Sequence, residues 1–121
     1  MTWTPISLDN LFDLIHETEK DLNSDLLNFW ELIKIDPEKW TEDTFGKEGN
    51  GFWVVGIIGR KVIYYNDIEE GFNISDYKTY GEIEEYVCNQ DKLIRTVGRL
   101  FELIKFGGTV RGQVGPPTNL M

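Results

Sequence analysis

Carboxylates are the reactive groups this sequence has most of, and they cluster. Asp67, Glu69 and Glu70 stand directly before Gly71, and Asp76, Glu82, Glu84 and Glu85 follow within a short stretch. Calcium accepts such oxygen ligands freely, so it is the first chemistry to test. The loop spacing rejects it. With Gly71 at the glycine position of an EF-hand loop, Ile68 takes a ligand position and Tyr77 the place of the bidentate glutamate. Two carboxylates facing each other about 5–10 Å apart would serve as acid and base in glycoside hydrolysis. With 21 Asp and Glu some pair always meets that condition, and a chain of 121 residues leaves little room for a deep sugar cleft.

Other chemistries have thinner support. His16 is the only histidine, which removes every metal motif built on two histidines and leaves any Ser–His nucleophile dependent on one residue. It lies beside an apolar stripe, and no serine stands in a nucleophile-elbow context, so a surface or packing role is the expectation. Cys88 is the only cysteine, so no internal disulfide and no Cys-pair zinc site can form. Paired catalysis by Cys88 and His16 would require the fold to join two residues that no local signature links. Gly46, Gly49 and Gly51 follow no strand-to-helix pattern and no Gly-Lys-Ser/Thr, so they spell neither a dinucleotide fingerprint nor a P-loop, and read as a flexible loop. No catalytic residue, metal or cofactor is implied.

The bulk numbers narrow the class further. The net charge is -9, with 12 Lys and Arg. That repels phosphate backbones, which argues against nucleic acid as a partner and favours solubility or steering toward a basic protein. The start, Met1-Thr2-Trp3-Thr4-Pro5, lacks the basic and apolar regions of a signal peptide. No stretch approaches the roughly 20 apolar residues of a membrane span, so a soluble, cytoplasmic protein with no membrane partner is expected.

The elements that must position the carboxylates can be read from periodicity. Ser7 caps a helix carrying Leu8, Leu11, Phe12 and Ile15, with Ile6 and Leu11 in the two staple positions. After a break at Asn23 and Ser24, Leu26, Leu27, Phe29, Trp30 and Ile33 form a second helical face. It should end near Asp36-Pro37, with Asp36 capping a short turn through Trp40. Residues 52–58 and 62–65 are β-branched and aromatic runs about Gly59-Arg60-Lys61, which spells a hairpin. Both its faces are apolar, so each needs a cover, and Gly56 leaves room for a close neighbour such as Trp30. Ile74–Tyr77 and Ile83–Val87 are candidates for further strands. Asn89 is the expected cap of a last helix bearing Leu93, Val97, Leu100, Phe101 and Ile104 and ending at Gly107. The fold expected is α+β: N-terminal helices, a central antiparallel sheet including the 52–65 hairpin, and a C-terminal helix packed on the sheet. Residues 1–107 form one domain in this reading, and 108–121 a flexible or loosely docked tail.

Charge is segregated along the chain. Asn66 to Asp91 holds eight acidic residues and one lysine, whereas residues 92–121 are net basic. Lys92, Arg95 and Arg99 share one side of the last helix. Either that side neutralises the acidic segment within the fold, or the acids face solvent. In the second case Asp67, Glu69, Glu70, Phe72, Asp76, Tyr77, Tyr80, Glu82, Glu84 and Glu85 form a partner-binding set, in which aromatic rings supply buried area and carboxylates supply steering and charge-assisted bonds.

At residues 64–73 (Tyr-Tyr-Asn-Asp-Ile-Glu-Glu-Gly-Phe-Asn) and in Tyr80-Gly81-Glu82-Ile83, the chain resembles small bacterial proteins of unassigned function. It also resembles the compact acidic immunity proteins of polymorphic or contact-dependent growth inhibition toxin systems, in size, charge and style over roughly residues 50–105. That resemblance implies a cytosolic antidote that binds a basic toxin domain stoichiometrically, its carboxylates standing where a phosphate backbone would lie. The net basic C-terminal portion departs from uniform nucleic-acid mimicry. Two other readings use the same residues: a small hydrolase or ligand-binding enzyme working through carboxylates of residues 67–85, and a homo-oligomer that buries its Tyr-rich segment against a copy.

Overall fold

The computed structural model describes residues 3–107, so the tail expected at 108–121 lies outside the described residues. Helix α1 (Leu8–Asp21) starts where its cap predicts: the Ser7 hydroxyl accepts the Asn10 N–H at 3.1 Å. Ile6 packs on the core beside fully buried Leu11, which completes the staple. Helix α2 (Ser24–Ile33) is capped by Asn23, whose Oδ1 accepts the Leu26 N–H at 2.9 Å.

Here the chain departs from the reading of its sequence. The turn expected after Asp36 is absent, and Lys34–Trp40 is an edge strand, β1. Pro37 is tolerated because it falls where the pairing with the next strand shifts register, between Lys34 and Glu38, so its missing N–H breaks no regular ladder. Strands β2 (Phe52–Ile58) and β3 (Lys61–Asn66) form the expected hairpin, with Gly59 at φ +57 in a two-residue turn. Strand β4 (Gly71–Asp76) completes a four-stranded antiparallel sheet in the order β1-β2-β3-β4. Helix α3 (Leu93–Phe106) begins after Lys92, not at Asn89, and ends at Gly107, whose N–H bonds the Leu103 carbonyl at 2.7 Å.

The fold is therefore α+β, with the C-terminal helix on the sheet. Both sheet faces are buried, each under a different cover. On one face Val55, Ile63, Tyr65, Phe72 and Ile74 pack with Leu11, Ile15, Phe29, Trp30 and Ile33 of the N-terminal helices and with Leu93, Val97, Leu100 and Leu103 of α3. On the other, Trp40, Phe52, Val54, Val62 and Tyr64 pack with Ile83, Tyr77 and Tyr86 from the chain between β4 and α3, and with Trp3. A register shift between Val54 and Gly56 moves Ile57 to the second face and Ile58 to the first. It also brings Gly56 under Trp30: a Cβ there would lie 3.2 Å from the indole, so the helix approaches the sheet through the missing side chain.

The second cover is not a strand. Residues 83–87, expected as a strand, run without a ladder; an isolated bridge between Thr41 and Glu82 precedes them. Their backbone is satisfied by polar side chains that alternate along β3 and β4. The Tyr64 hydroxyl accepts the Val87 N–H at 2.7 Å and donates toward the Glu85 and Val87 carbonyls, both at 3.1 Å. Asn66 Nδ2 donates to the Val87 carbonyl at 3.0 Å, and the Ser75 hydroxyl accepts the Glu85 N–H at 2.9 Å. Asn73 accepts the Asn89 N–H at 2.9 Å and donates back to its carbonyl at 3.2 Å. Buried backbone groups need such partners, and here a spine of four side chains supplies them.

Candidate partner-binding surface

Fixing residues 83–89 to the sheet sets what the neighbouring residues display. Tyr80 is 60% exposed, yet its ring packs 4.8 Å from that of buried Trp40 and its hydroxyl donates to Glu38 at 2.8 Å. That carboxylate also accepts the Trp40 indole N–H at 3.2 Å and holds the Tyr80 hydroxyl above its ordinary pKa. Tyr77 meets both rings edge-on and donates to the Gly59 carbonyl at 2.8 Å. Trp40 is paired in register with Phe52, which lies 6.1 Å from Tyr86, and Tyr86 packs 4.3 Å from Phe45, itself 48% exposed. A continuous aromatic array thus crosses this face, with two exposed rings supported from below.

Phe45 is presented by a built turn. The buried Glu42 carboxylate accepts the backbone N–H groups of Thr44, Phe45 and Gly46 at 3.1, 2.6 and 3.0 Å, and the Thr44 hydroxyl. The glycine loop that follows is correspondingly packed, not free: Gly46, Gly49 and Gly51 are all buried. Its carbonyls at Gly49 and Gly51 accept the Lys39 ammonium at 2.8 and 3.4 Å, and Lys39 stands 5.2 Å over the Trp53 ring. Burial lowers the Lys39 pKa against the opposing pull of Asp67.

The ten residues expected to form one patch are distributed over both sides of the sheet. Asp67 is 7% exposed and accepts the Ile6 N–H at 2.7 Å, tying the N-terminal segment to the end of β3; burial raises its pKa. Phe72 is buried in the core under the helices, 4.9 Å from the Tyr65 ring. Glu70 also lies on that side, beside Tyr65 and Phe72, while Glu69 is half-buried. Asp76 is exposed and pairs with Lys61, and Glu84 pairs with Lys78 at 3.5 Å. Tyr77, Tyr80, Glu82, Glu84 and Glu85 do come together on the stretch after β4. The side chains of Glu82 and Glu85 are exposed and make no ion pair or hydrogen bond among the described residues. The basic side of α3 neutralises little of this segment: Arg95 and Arg99 both pair with Asp91 alone.

Glu38, Asp43 and Phe45 belong to the same face and were not among the expected residues. Thr41-Glu42-Asp43-Thr44-Phe45 has the acid-and-aromatic composition of the later segment, but only tertiary pairing reveals that they meet: Ile83 N–H bonds the Thr41 carbonyl at 2.8 Å and Thr41 N–H the Gly81 carbonyl at 2.9 Å. His16 and Cys88 lie on opposite sides of the sheet, His16 exposed on α1 against Phe12 and Cys88 half-buried in the opposite cover. Among the described residues no group of three or more His, Cys, Asp or Glu is placed to hold a metal ion, and no helix is long and apolar enough to cross a membrane. The chain matches no protein-family model, no curated protein and no solved structure.

Proposed function

We propose that this protein is a binding module that neutralises a basic protein partner by stoichiometric association, in the manner of an immunity protein facing a toxin domain. The observation that carries the reading is the pairing of exposed rings with unpaired acids: Tyr80 and Phe45 stand out from a buried aromatic array, with the exposed carboxylates of Asp43, Glu82 and Glu85 close to them along the chain. Rings held by their neighbours lose little freedom on binding, and desolvated aromatics are the usual energetic centre of an interface. The carboxylates add long-range attraction to a basic surface and charge-assisted bonds to its Lys and Arg.

The test is recovery of the tagged protein from its source cells at low salt. The reading requires one basic partner in equal amount, released as salt rises. It further requires that the triple variant Asp43→Lys, Glu82→Lys, Glu85→Lys loses that partner while unfolding at the same denaturant concentration as the parent. These side chains make no ion pair or hydrogen bond among the described residues. A partner retained by the reversed variant, or none in the parent, would refute the proposal.

A further inference from the structure

Residues 3–6 cross one edge of the fold as a strap between its two cores. Ile6 packs under the helices, whereas Trp3 packs on the opposite face of the sheet, its indole stacked on buried Phe52 at 5.7 Å and 21°. Gly49 makes room for that ring: a Cβ there would lie 2.2 Å from the indole Cη2. Thr4 and Pro5, between the two anchors, are exposed. Among the described residues a single hydrogen bond fastens the segment, from the Ile6 N–H to Asp67 Oδ2 at 2.7 Å.

That fastening is incomplete. Asp67 is 7% exposed, yet its Oδ1 is buried with no hydrogen-bond partner among the described residues, and the one other buried side-chain polar atom in that state there is Trp53 Nε1. Trp53 is the cross-strand neighbour of Lys39 and of Tyr65, which stands two residues before Asp67, so both unpaired atoms fall at one corner of the sheet. The Lys39 ammonium is taken by the Gly49 and Gly51 carbonyls at 2.8 and 3.4 Å and attracts Asp67 from farther off, with no ion pair between them among the described residues. Tyr65 on β3 is the other titratable group that reaches Asp67. Glu69 and Glu70 follow in the turn, residues 3–7 carry no titratable side chain, and Asp9 in the first turn of α1 is exposed. A buried carboxylate with an unpaired oxygen is costly as an anion, and lifting the strap returns it to water.

We propose that residues 3–6 are a strap that closes when Asp67 is protonated and loosens when it is ionised, uncovering the Phe52 ring. Phe52 lies 6.1 Å from Tyr86, which packs against exposed Phe45, so opening extends the aromatic array of the candidate surface. That consequence rests on the function proposed above; the opening itself requires no partner and is measured without one. The sign follows from burial, which raises the Asp67 carboxyl above its ordinary pKa in the closed state against the opposing Ile6 bond. Closure is therefore strongest below the ordinary carboxylate value of about 3.9 and is lost as pH rises through the raised one.

The experiment follows amide-resolved hydrogen exchange of the full-length protein from about pH 4 to about pH 7, each rate taken relative to the unfolded chain at the same pH. Ile6 protection should fall about tenfold over that range, the worth of one unpartnered buried acceptor, and nuclear Overhauser effects between the Trp3 and Phe52 rings should weaken with it. Leu11, whose N–H bonds the Ser7 carbonyl at 2.9 Å, should keep its protection, which separates strap opening from fraying of α1. Asp67→Asn, neutral at every pH, should hold Ile6 at the parent's acid protection throughout. Trp3→Ala should lose Ile6 protection at both ends of the range and leave Leu11 unchanged. Ile6 protection that is flat with pH in the parent, a pH dependence that survives in Asp67→Asn, or a loss shared equally by Leu11 would overturn the proposal. Recovery of a basic partner by the parent is a separate result and bears on the function alone.

Discussion

Replacing Tyr64 with phenylalanine tests whether the aromatic and acidic surface depends on the polar spine beneath it. The substitution keeps the ring, which is fully buried between Phe52 and the 83–87 segment, and removes only the hydroxyl. The Val87 carbonyl keeps a donor in Asn66 Nδ2 at 3.0 Å. The Val87 N–H does not: its acceptor at 2.7 Å is the Tyr64 oxygen, and Val87 is buried. An orphaned buried donor costs about 1–3 kcal/mol. Phenol burial already holds the Tyr64 hydroxyl protonated far above its ordinary pKa, so the loss should be the same from neutral to mildly alkaline pH. Urea unfolding should therefore show about 2 kcal/mol less stability, which is roughly 8 °C in melting temperature for a domain of this size. Hydrogen exchange should locate the change, with amides 83–89 losing protection and those of α1 and α2 keeping theirs under native conditions. A loss under about 0.5 kcal/mol with unchanged exchange at 83–89 would refute the spine as the support of this surface.

Two further substitutions probe the rest of the frame. Burial pushes the Glu19 carboxyl up, but the Trp30 indole N–H at 2.8 Å and the Lys34 ammonium at 3.1 Å outweigh it and hold the pKa below the usual carboxylate value. A depressed folded-state pKa stabilises above the unfolded value of about 4.3 and is lost as pH falls through the folded one. Glu19→Ala should thus cost about 1–2 kcal/mol at pH 7 and less in acid, read by Trp fluorescence in urea at both values; a cost independent of pH would contradict the charged contact. At Gly71 an added Cβ would lie 2.3 Å from the Asn89 carbonyl oxygen and 2.5 Å from Gln90 Cα, both backbone. Gly71→Ala must therefore push residues 89–91 away, break the 2.9 Å bond from Phe72 N–H to the Asp91 carbonyl and cost about 3 kcal/mol. Gly98→Ala, with open space around it in α3, should instead gain about 0.5–1 kcal/mol, and thermal melts of the two variants check the contrast.

Local sequence determined the parts of this protein whose cause is local. Ser7 and Asn23 cap α1 and α2 because their side chains reach N–H groups three residues ahead, and Gly59 between two β-branched runs turns the hairpin. The two-faced hydrophobicity of residues 52–65 also required a cover on each side, which the helices and the 77–89 segment supply. Only the tertiary structure decided that Lys34–Trp40 is a strand, since its charged, proline-containing sequence has no strand periodicity and is held by an edge pairing to β2 and by the burial of Trp40. The same holds for the start of α3: the backbone N–H and carbonyl of Asn89 are tied to the Asn73 side chain, and the helix begins only after Lys92. The acidic segment read as one surface because composition sums along the chain. In space the sheet divides it, taking Asp67 and Phe72 into one buried side and leaving Tyr80, Glu82 and Glu85 on the other beside Asp43 and Phe45. Burial is set by which strand face a residue occupies and by what packs over it, and neither is encoded in the spacing of acids and rings.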